Sequence, residues 1–219
     1  MVTDIKVAVV TGAHNYDVVN FHSLFRELPG IDAYIQNLED FVTDRVSGWK
    51  LYDIVVFFNY HQGTPGTLDH VNEAQTKTIL ESLIDGPNGI LLLHHAILCY
   101  PDWGKWQALS GVRRKGTVKG AVDQTFRVNV ADNDHPITEG MDSWEMIDET
   151  YIRPDVETEG SDILLSTDHA ESMKTLGWTR ERSNGRTFCF QSGHDNQTWT
   201  NPQFQTVLER GIKWTAGAL

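Results

Sequence analysis

Histidine recurs where this sequence stops being apolar. Four apolar runs give way to Thr11-Gly12-Ala13-His14-Asn15, to Asn59-Tyr60-His61-Gln62-Gly63, to His94-His95-Ala96 and to Ser192-Gly193-His194-Asp195-Asn196. Imidazole titrates near neutral pH and ligates metals as the neutral ring, so such a set suits general acid–base work or a cation site. One histidine after a strand is an ordinary loop residue. Four converging on one sheet edge single out His95 and His194. The matching acids are Asp148 and Glu149, set before Thr150-Tyr151. Two adjacent carboxylates can orient a histidine, bind a cation or grip sugar hydroxyls, and a solvated loop is the plain alternative. Trp103 and Trp199, each shortly after a histidine-bearing strand end, offer indole faces suited to a sugar ring. Trp106 and Trp214 follow helical apolar spacing and read as core.

Common catalytic signatures are missing. There is no Gly-x-Ser-x-Gly elbow, no phosphate-binding Gly-x-x-x-x-Gly-Lys-Ser/Thr loop and no Gly-x-Gly-x-x-Gly after the first apolar run. His-Glu-x-x-His and Cys-x-x-Cys are also absent, which leaves only a cation site assembled from distant loops. Cys99, between Leu98 and Tyr100, lies several residues past its strand and reads as a buried structural thiol. Cys189, within Phe188-Cys189-Phe190, reads as core.

The elements that must position these residues are legible. Lys6–Val10, Ile54–Phe58 and Ile90–Leu93 are unbroken apolar runs, as expected of strands covered on both faces. Between them, Val18, Phe21, Leu24, Phe25 and Leu28 recur at helical spacing before Pro29-Gly30, and a weaker helical pattern runs from Ala74 to Ile84. Ile31–Asn37 completes the set as a further strand. Strand–helix alternation implies right-handed crossovers and a parallel sheet, whose carboxyl ends are where ligands bind. In the second half Phe126, Val128 and Val130 alternate, and Asn184-Gly185 between Thr175–Glu181 and Thr187–Phe190 predicts an antiparallel hairpin. His135-Pro136 reads as structural. Asn201 as N-cap and Pro202 after it open a closing helix with Phe204, Val207, Leu208, Ile212 and Thr215 on its apolar face. The fold expected is a mixed α/β three-layer sandwich with a mostly parallel central sheet.

Composition bounds the rest. The chain has 219 residues and a formal charge of −12, which argues against a broad nucleic-acid or anionic-membrane surface. No apolar run approaches the ~20 residues of a membrane span. Two cysteines exclude a disulfide scaffold. With no linker or repeat in view, residues 1–219 are expected to form one cytoplasmic domain. Homo-oligomerisation is left open.

Taken in order, Thr11-Gly12 with His14, Leu93-His94-His95-Ala96 with Pro101-Asp102-Trp103, His135-Pro136-Ile137-Thr138-Glu139-Gly140, Asp148-Glu149-x-Tyr151, Gly185-Arg186-x-Phe188, Gly193-His194, Trp199-x-Asn201 and Gly211-Ile212-Lys213-Trp214 resemble the ThuA-like (trehalose utilisation) family over essentially the whole chain. That family is similar in fold to class I glutamine amidotransferases, a flavodoxin-like sandwich. Those enzymes carry a cysteine at the turn that here holds His94-His95-Ala96, so glutaminase chemistry lacks its nucleophile. The resemblance implies carbohydrate catabolism, with disaccharides or their 3-keto derivatives of trehalose or sucrose type as ligands. In a 3-ketoglucoside the C2 proton is acidified by the neighbouring carbonyl. A base could remove it, with a divalent metal or hydrogen-bond donors stabilising the enolate. On this reading His194 is the base, His95 positions substrate or binds metal, and Asp148 or Glu149 orients one of them or completes a metal set of His95, His194 and Glu149. His14, Asn59, Trp103, Tyr151 and Trp199 would line the pocket. The competing reading is a sugar-binding or regulatory protein without catalysis.

Overall fold

The computed structural model describes residues 4–43, 48–67, 72–113, 118–152 and 155–219. The apolar runs form a parallel core of β1 (Ile5–Gly12), β2 (Ile31–Asn37), β3 (Ile54–Asn59) and β4 (Gly89–Leu93), joined late in the chain by β9 (Arg186–Phe190). Their order in space is β2-β1-β3-β4-β9, the doubly wound arrangement of flavodoxin-like sheets. Every residue of β3 and β4 is buried, which accounts for their lack of alternation. Val7, Val9, Ile54, Val56, Phe58, Leu91 and Leu93 face α1 (Val18–Glu27) and α6 (Pro202–Thr215). Their neighbours Ala8, Val10, Val55, Phe57, Ile90 and Leu92 face α2 (Leu38–Thr43), α3 (Glu73–Asp85) and α4 (Gly104–Ser110) on the opposite side. The helix ends obey local chemistry: Asp17 accepts from the Asn20 amide at the start of α1, and Asn201 accepts from the Gln203 and Phe204 amides at the start of α6.

Beyond β9 the sheet turns antiparallel through β8 (Thr175–Glu181), β7 (Asp162–Ser166), β5 (Lys119–Val130) and β6 (Trp144–Ile152). The Asn184-Gly185 hairpin joins β8 to β9 as expected, and Arg182 beside it donates to the carbonyls of Leu83, Ile84 and Gly86, closing the end of α3. β5 serves two ladders. Lys119 to Ala121 and Gln124 to Val128 pair with β6, whereas Asn129 and Val130 pair with β7. A bulge between Ala121 and Gln124, with Asp123 at φ +54°, adds to the bend. The sheet therefore curls, and β6, last in the order, returns to the strand ends of β4 and β9.

Candidate metal centre

The site is built on the turn that ends β4. His94 takes a left-handed backbone, φ +54°, which is uncommon outside glycine and is held only where surroundings over-determine it. The turn sends two consecutive imidazoles to different places. His95 packs its ring on Phe58, at 4.7 Å between centroids, and on His14, at 4.1 Å. His94, fully buried, turns towards β9 and β6, where its Nδ1 lies 2.9 Å from the Gln191 carbonyl. A carbonyl only accepts, so Nδ1 carries the proton and Nε2 presents its lone pair.

That lone pair meets two other ligand atoms. His94 Nε2 is 3.1 Å from Glu149 Oε2 and 3.3 Å from His194 Nδ1, and Oε2 and Nδ1 are 3.2 Å apart. His94, Glu149 and His194 thus form a group able to hold a metal ion. Four-coordinate zinc with bonds of roughly 2.0–2.1 Å has ligand–ligand edges of about 3.3–3.4 Å. The separations of the three atoms lie close to that edge, so His94, Glu149 and His194 would hold such a cation. Two nitrogens and one oxygen suit zinc or a comparable first-row cation.

Electrostatics follow from this crowding. Burial alone would raise the Glu149 carboxyl, but without a cation, when His94 Nε2 and His194 Nδ1 carry protons instead of offering lone pairs, hydrogen bonds and charge from the two imidazoles, His194 first, pull it far below the usual carboxylate range. His194 is raised, first by its hydrogen bond to Glu149, against an opposing effect of burial. The Tyr151 hydroxyl lies between the ligand atoms, 2.8 Å from His94 Nε2 and 3.1 Å from Glu149 Oε2. Burial and the Glu149 charge keep this phenol protonated.

Several residues set the geometry without joining the triad. Asp148, buried in β6, accepts from the backbone amides of Gly193 at 2.8 Å and His194 at 3.0 Å. It therefore fixes the turn that delivers the His194 ring. Its carboxyl is raised by burial, against the pull of His94 and of those amides. Gln191 accepts from His94 through its carbonyl and donates through Nε2 to the Glu149 carbonyl at 2.8 Å. Gly120 on β5 backs Glu149, since a Cβ there would stand 2.4 Å from Oε1.

The expected residues are thus partly gathered and partly dispersed. His194 and Glu149 stand in the triad, with Tyr151 against it and Asp148 behind it. The second imidazole of the triad is His94 rather than the expected His95, because the left-handed turn aims the first histidine at the carboxylate and the second away from it. His95 is buried with neither ring nitrogen hydrogen-bonded. Its basicity falls well below the ordinary value through burial and then through the neighbouring His94 and His14. His14 is half-buried and lowered by burial and then by His94 and His194, with its ring 6.3 Å from that of His194. Asn59 is buried and donates to His61 Nδ1 and the Tyr100 hydroxyl. The two tryptophans do not offer the open ring faces expected of them. Trp199 is 2% exposed, packed on Phe21, with its Nε1 donating to the Gly193 carbonyl. Trp103 is 8% exposed and packs against Tyr100 and Trp106 in the other core layer. Trp106 is core, as its spacing implies. Cys99 is buried, its thiol raised by burial and donating to the Asn59 carbonyl.

The trehalose utilisation (ThuA) profile matches residues 6–215. The chain belongs to the ThuA family. A ThuA-like protein from Parabacteroides merdae is 20% identical with a TM-score of 0.75, covering 98% of this chain and 90% of that one. A glutamine amidotransferase from Thermotoga maritima is 8% identical with a TM-score of 0.54, over 97% and 98% of the two chains. A β-galactosidase from Bacillus circulans sp. alkalophilus is 12% identical with a TM-score of 0.66, over 98% of this chain and 31% of its own. At such identities these likenesses establish the flavodoxin-like, amidotransferase-like fold. No match was found among curated proteins. The ThuA chain has, among the described residues, no helix long and apolar enough to cross a membrane.

Proposed function

We propose that this ThuA protein is a metal-assisted enzyme of carbohydrate catabolism, acting on disaccharides or their 3-keto derivatives of trehalose or sucrose type. The observation that carries the reading is the mutual 3.1–3.3 Å spacing of His94 Nε2, Glu149 Oε2 and His194 Nδ1. A divalent cation held there would polarise a substrate carbonyl and stabilise the enolate formed when the adjacent C–H gives up its proton. The chain's own residues prepare that step. Gln191 fixes the His94 tautomer, Asp148 fixes the His194 turn, and the Tyr151 hydroxyl supplies a hydrogen bond at the ligand atoms. Such outer contacts tune both the orientation and the basicity of metal ligands. The elbow carries imidazole in place of a thiol, so a thioester route has no nucleophile and glutaminase chemistry is rejected.

A metal-free variant is favoured by one observation of its own. The 3.2 Å contact between His194 Nδ1 and Glu149 is a carboxylate–imidazole dyad that would leave Nε2 to remove the C2 proton of a 3-ketoglucoside. The enolate then either reprotonates elsewhere or expels the C1 substituent, which departs with a proton as the free alcohol.

Proton NMR with 3-keto-trehalose in D₂O, on protein as isolated, after chelation and after added Zn²⁺, decides between them. New product signals or deuterium at C2, lost on chelation and restored by Zn²⁺, are expected. Turnover indifferent to chelation would transfer the chemistry to the dyad. Line broadening without conversion would overturn the enzymatic reading in favour of a sugar-binding protein.

A further inference from the structure

A cavity of about 490 Å³ opens at the carboxyl ends of β1 and β3, with Ala13, Leu38, Glu39, Val42, His61 and Glu73 in its lining. It sits where the chain reverses direction across the sheet, since β2 lies on one side of β1 and β3 on the other. Open parallel sheets bind ligands at that point, and the volume is that of a small-molecule pocket. Leu38 and Val42, buried in α2, give the cavity an apolar wall. His61 closes another side. Gly12, at φ +135°, lets it do so, because a Cβ there would stand 2.9 Å from His61 Cε1. Asn59 donates to His61 Nδ1, so the proton of this imidazole is on Nε2, 3.8 Å from Glu39 Oε1. The Gly66 amide donates to Glu73 Oε2 at 2.7 Å and keeps that carboxylate in place. Among the described residues the lining holds two carboxylates and no lysine or arginine. The cavity adjoins the triad through its neighbours in the chain. Ala13 precedes His14, whose ring is 6.3 Å from that of His194, and His61 follows Tyr60, whose ring is 6.2 Å from that of His14.

We infer that this cavity receives the C1 substituent of the substrate, and that the substituent is an uncharged apolar aglycone, aryl or alkyl, in place of a second sugar. The inference rests on the keto-glucoside reading above and extends it beyond disaccharides. One residue, His14, separates the triad from Ala13, so a group carried on a ring held at the triad reaches the cavity. Leu38 and Val42 offer contact to an apolar group but no partner for sugar hydroxyls, whose burial without hydrogen bonds is unfavourable. Glu39 and Glu73 set a negative field that opposes a carboxylated or phosphorylated substituent. An aryl group also suits the elimination, since a phenol is a stronger acid than a sugar alcohol and leaves more readily.

Saturation-transfer NMR titrations of the protein as isolated, with phenyl and methyl α-D-glucosides, compare a bulky apolar substituent with a minimal one. The phenyl glucoside is expected to bind about 10- to 100-fold more tightly, with the strongest transfer at its aryl protons. Val42→Phe, which fills the cavity, should erase that advantage and leave Zn²⁺ affinity unchanged. A p-carboxyphenyl glucoside should bind more weakly than the phenyl one, and Glu39→Gln should narrow the gap. That side chain is 71% exposed, so the second variant reads the cavity even where the first fails to fold. Equal affinities for phenyl and methyl glucosides overturn the proposal, as does trehalose binding more tightly than the phenyl glucoside. A phenyl advantage that survives in folded Val42→Phe, or a carboxylate penalty indifferent to Glu39→Gln, overturns it too. Phenyl 3-keto-glucoside bound with the same preference but never converted would sink the enzymatic reading and leave the cavity's assignment standing. Conversion of 3-keto-trehalose with no preference for phenyl would do the reverse.

Discussion

Gly120→Ala isolates the metal site from the fold that carries it. Gly120 pairs with Tyr151 across the β5–β6 ladder. Alanine suits a strand at least as well, and removing a glycine from a strand interior stabilises by roughly 0.5–1 kcal/mol. The new Cβ, however, would stand 2.4 Å from Glu149 Oε1 and 3.4 Å from its Cδ. A carbon–oxygen contact needs about 3.3 Å, so the carboxylate must retreat by about 0.9 Å, and Oε2 moves with it. Ligand distances in a working metal site hold to within roughly 0.2 Å. Displacing a carboxylate by several times that tolerance should weaken Zn²⁺ binding 10- to 100-fold, or about 1.4–2.8 kcal/mol. Titration against a chromophoric chelator reads the affinity, and urea unfolding of the chelated protein reads stability. Unchanged Zn²⁺ affinity in a folded variant would refute the reasoning, since it would mean that the carboxylate turns away from the new methyl without withdrawing Oε2 from the ligand set.

Other outcomes follow from the same geometry. Asp148→Ala leaves the Gly193 and His194 amides without their acceptor in a buried place, and should destabilise the fold by about 2–4 kcal/mol in urea unfolding. For the chelated protein, the Glu149 carboxyl is lower folded than unfolded, so its stabilisation is present above its unfolded value of roughly 4.3 and is lost as pH falls towards the folded one. His194 is raised on folding, so its contribution is present below roughly 6.5 and is lost as pH rises through the folded value. Stability measured against pH should therefore peak between those limits, and Glu149→Gln should flatten both slopes. Trp199→Ala should cost about 3–5 kcal/mol of stability, as befits a buried indole, and a selective loss of sugar binding at wild-type stability would contradict its placement in the core.

Much of the fold is legible in the sequence because burial on two faces leaves no room for polar residues. β1, β3 and β4 show as apolar runs, and Asn201-Pro202 and Asn184-Gly185 mark their elements through local backbone chemistry alone. The site is legible by composition more than by geometry. His94-His95 is visibly the end of a strand, yet which ring meets the carboxylate depends on a single φ angle at His94 that no neighbouring glycine announces. Asp148-Glu149 reads equally as a loop, whereas it lies inside β6. The signal was available in the alternation Trp144, Met146, Asp148, Thr150, all buried: an acid at an inward position of a strand has to find partners. The tryptophans mislead for the opposite reason, since position after a histidine says nothing about which way an indole turns.

The curl of the sheet gives the site a mechanical meaning. β6 lies four places beyond β9 in the strand order, about 19 Å along a flat sheet, yet Asp148 holds the Gly193 amide at 2.8 Å. Its neighbour Glu149 reaches His94 and His194 in the same way, and so acts as a clasp between the β5–β6 hairpin and the parallel core. A cation in that clasp would fasten the two halves of the sheet, stabilising the closed form by RT ln(1 + [L]/Kd). Release would then follow the undocking of β5 and β6, so metal exchange should keep pace with amide hydrogen exchange in that hairpin rather than with exchange in β3 or β4.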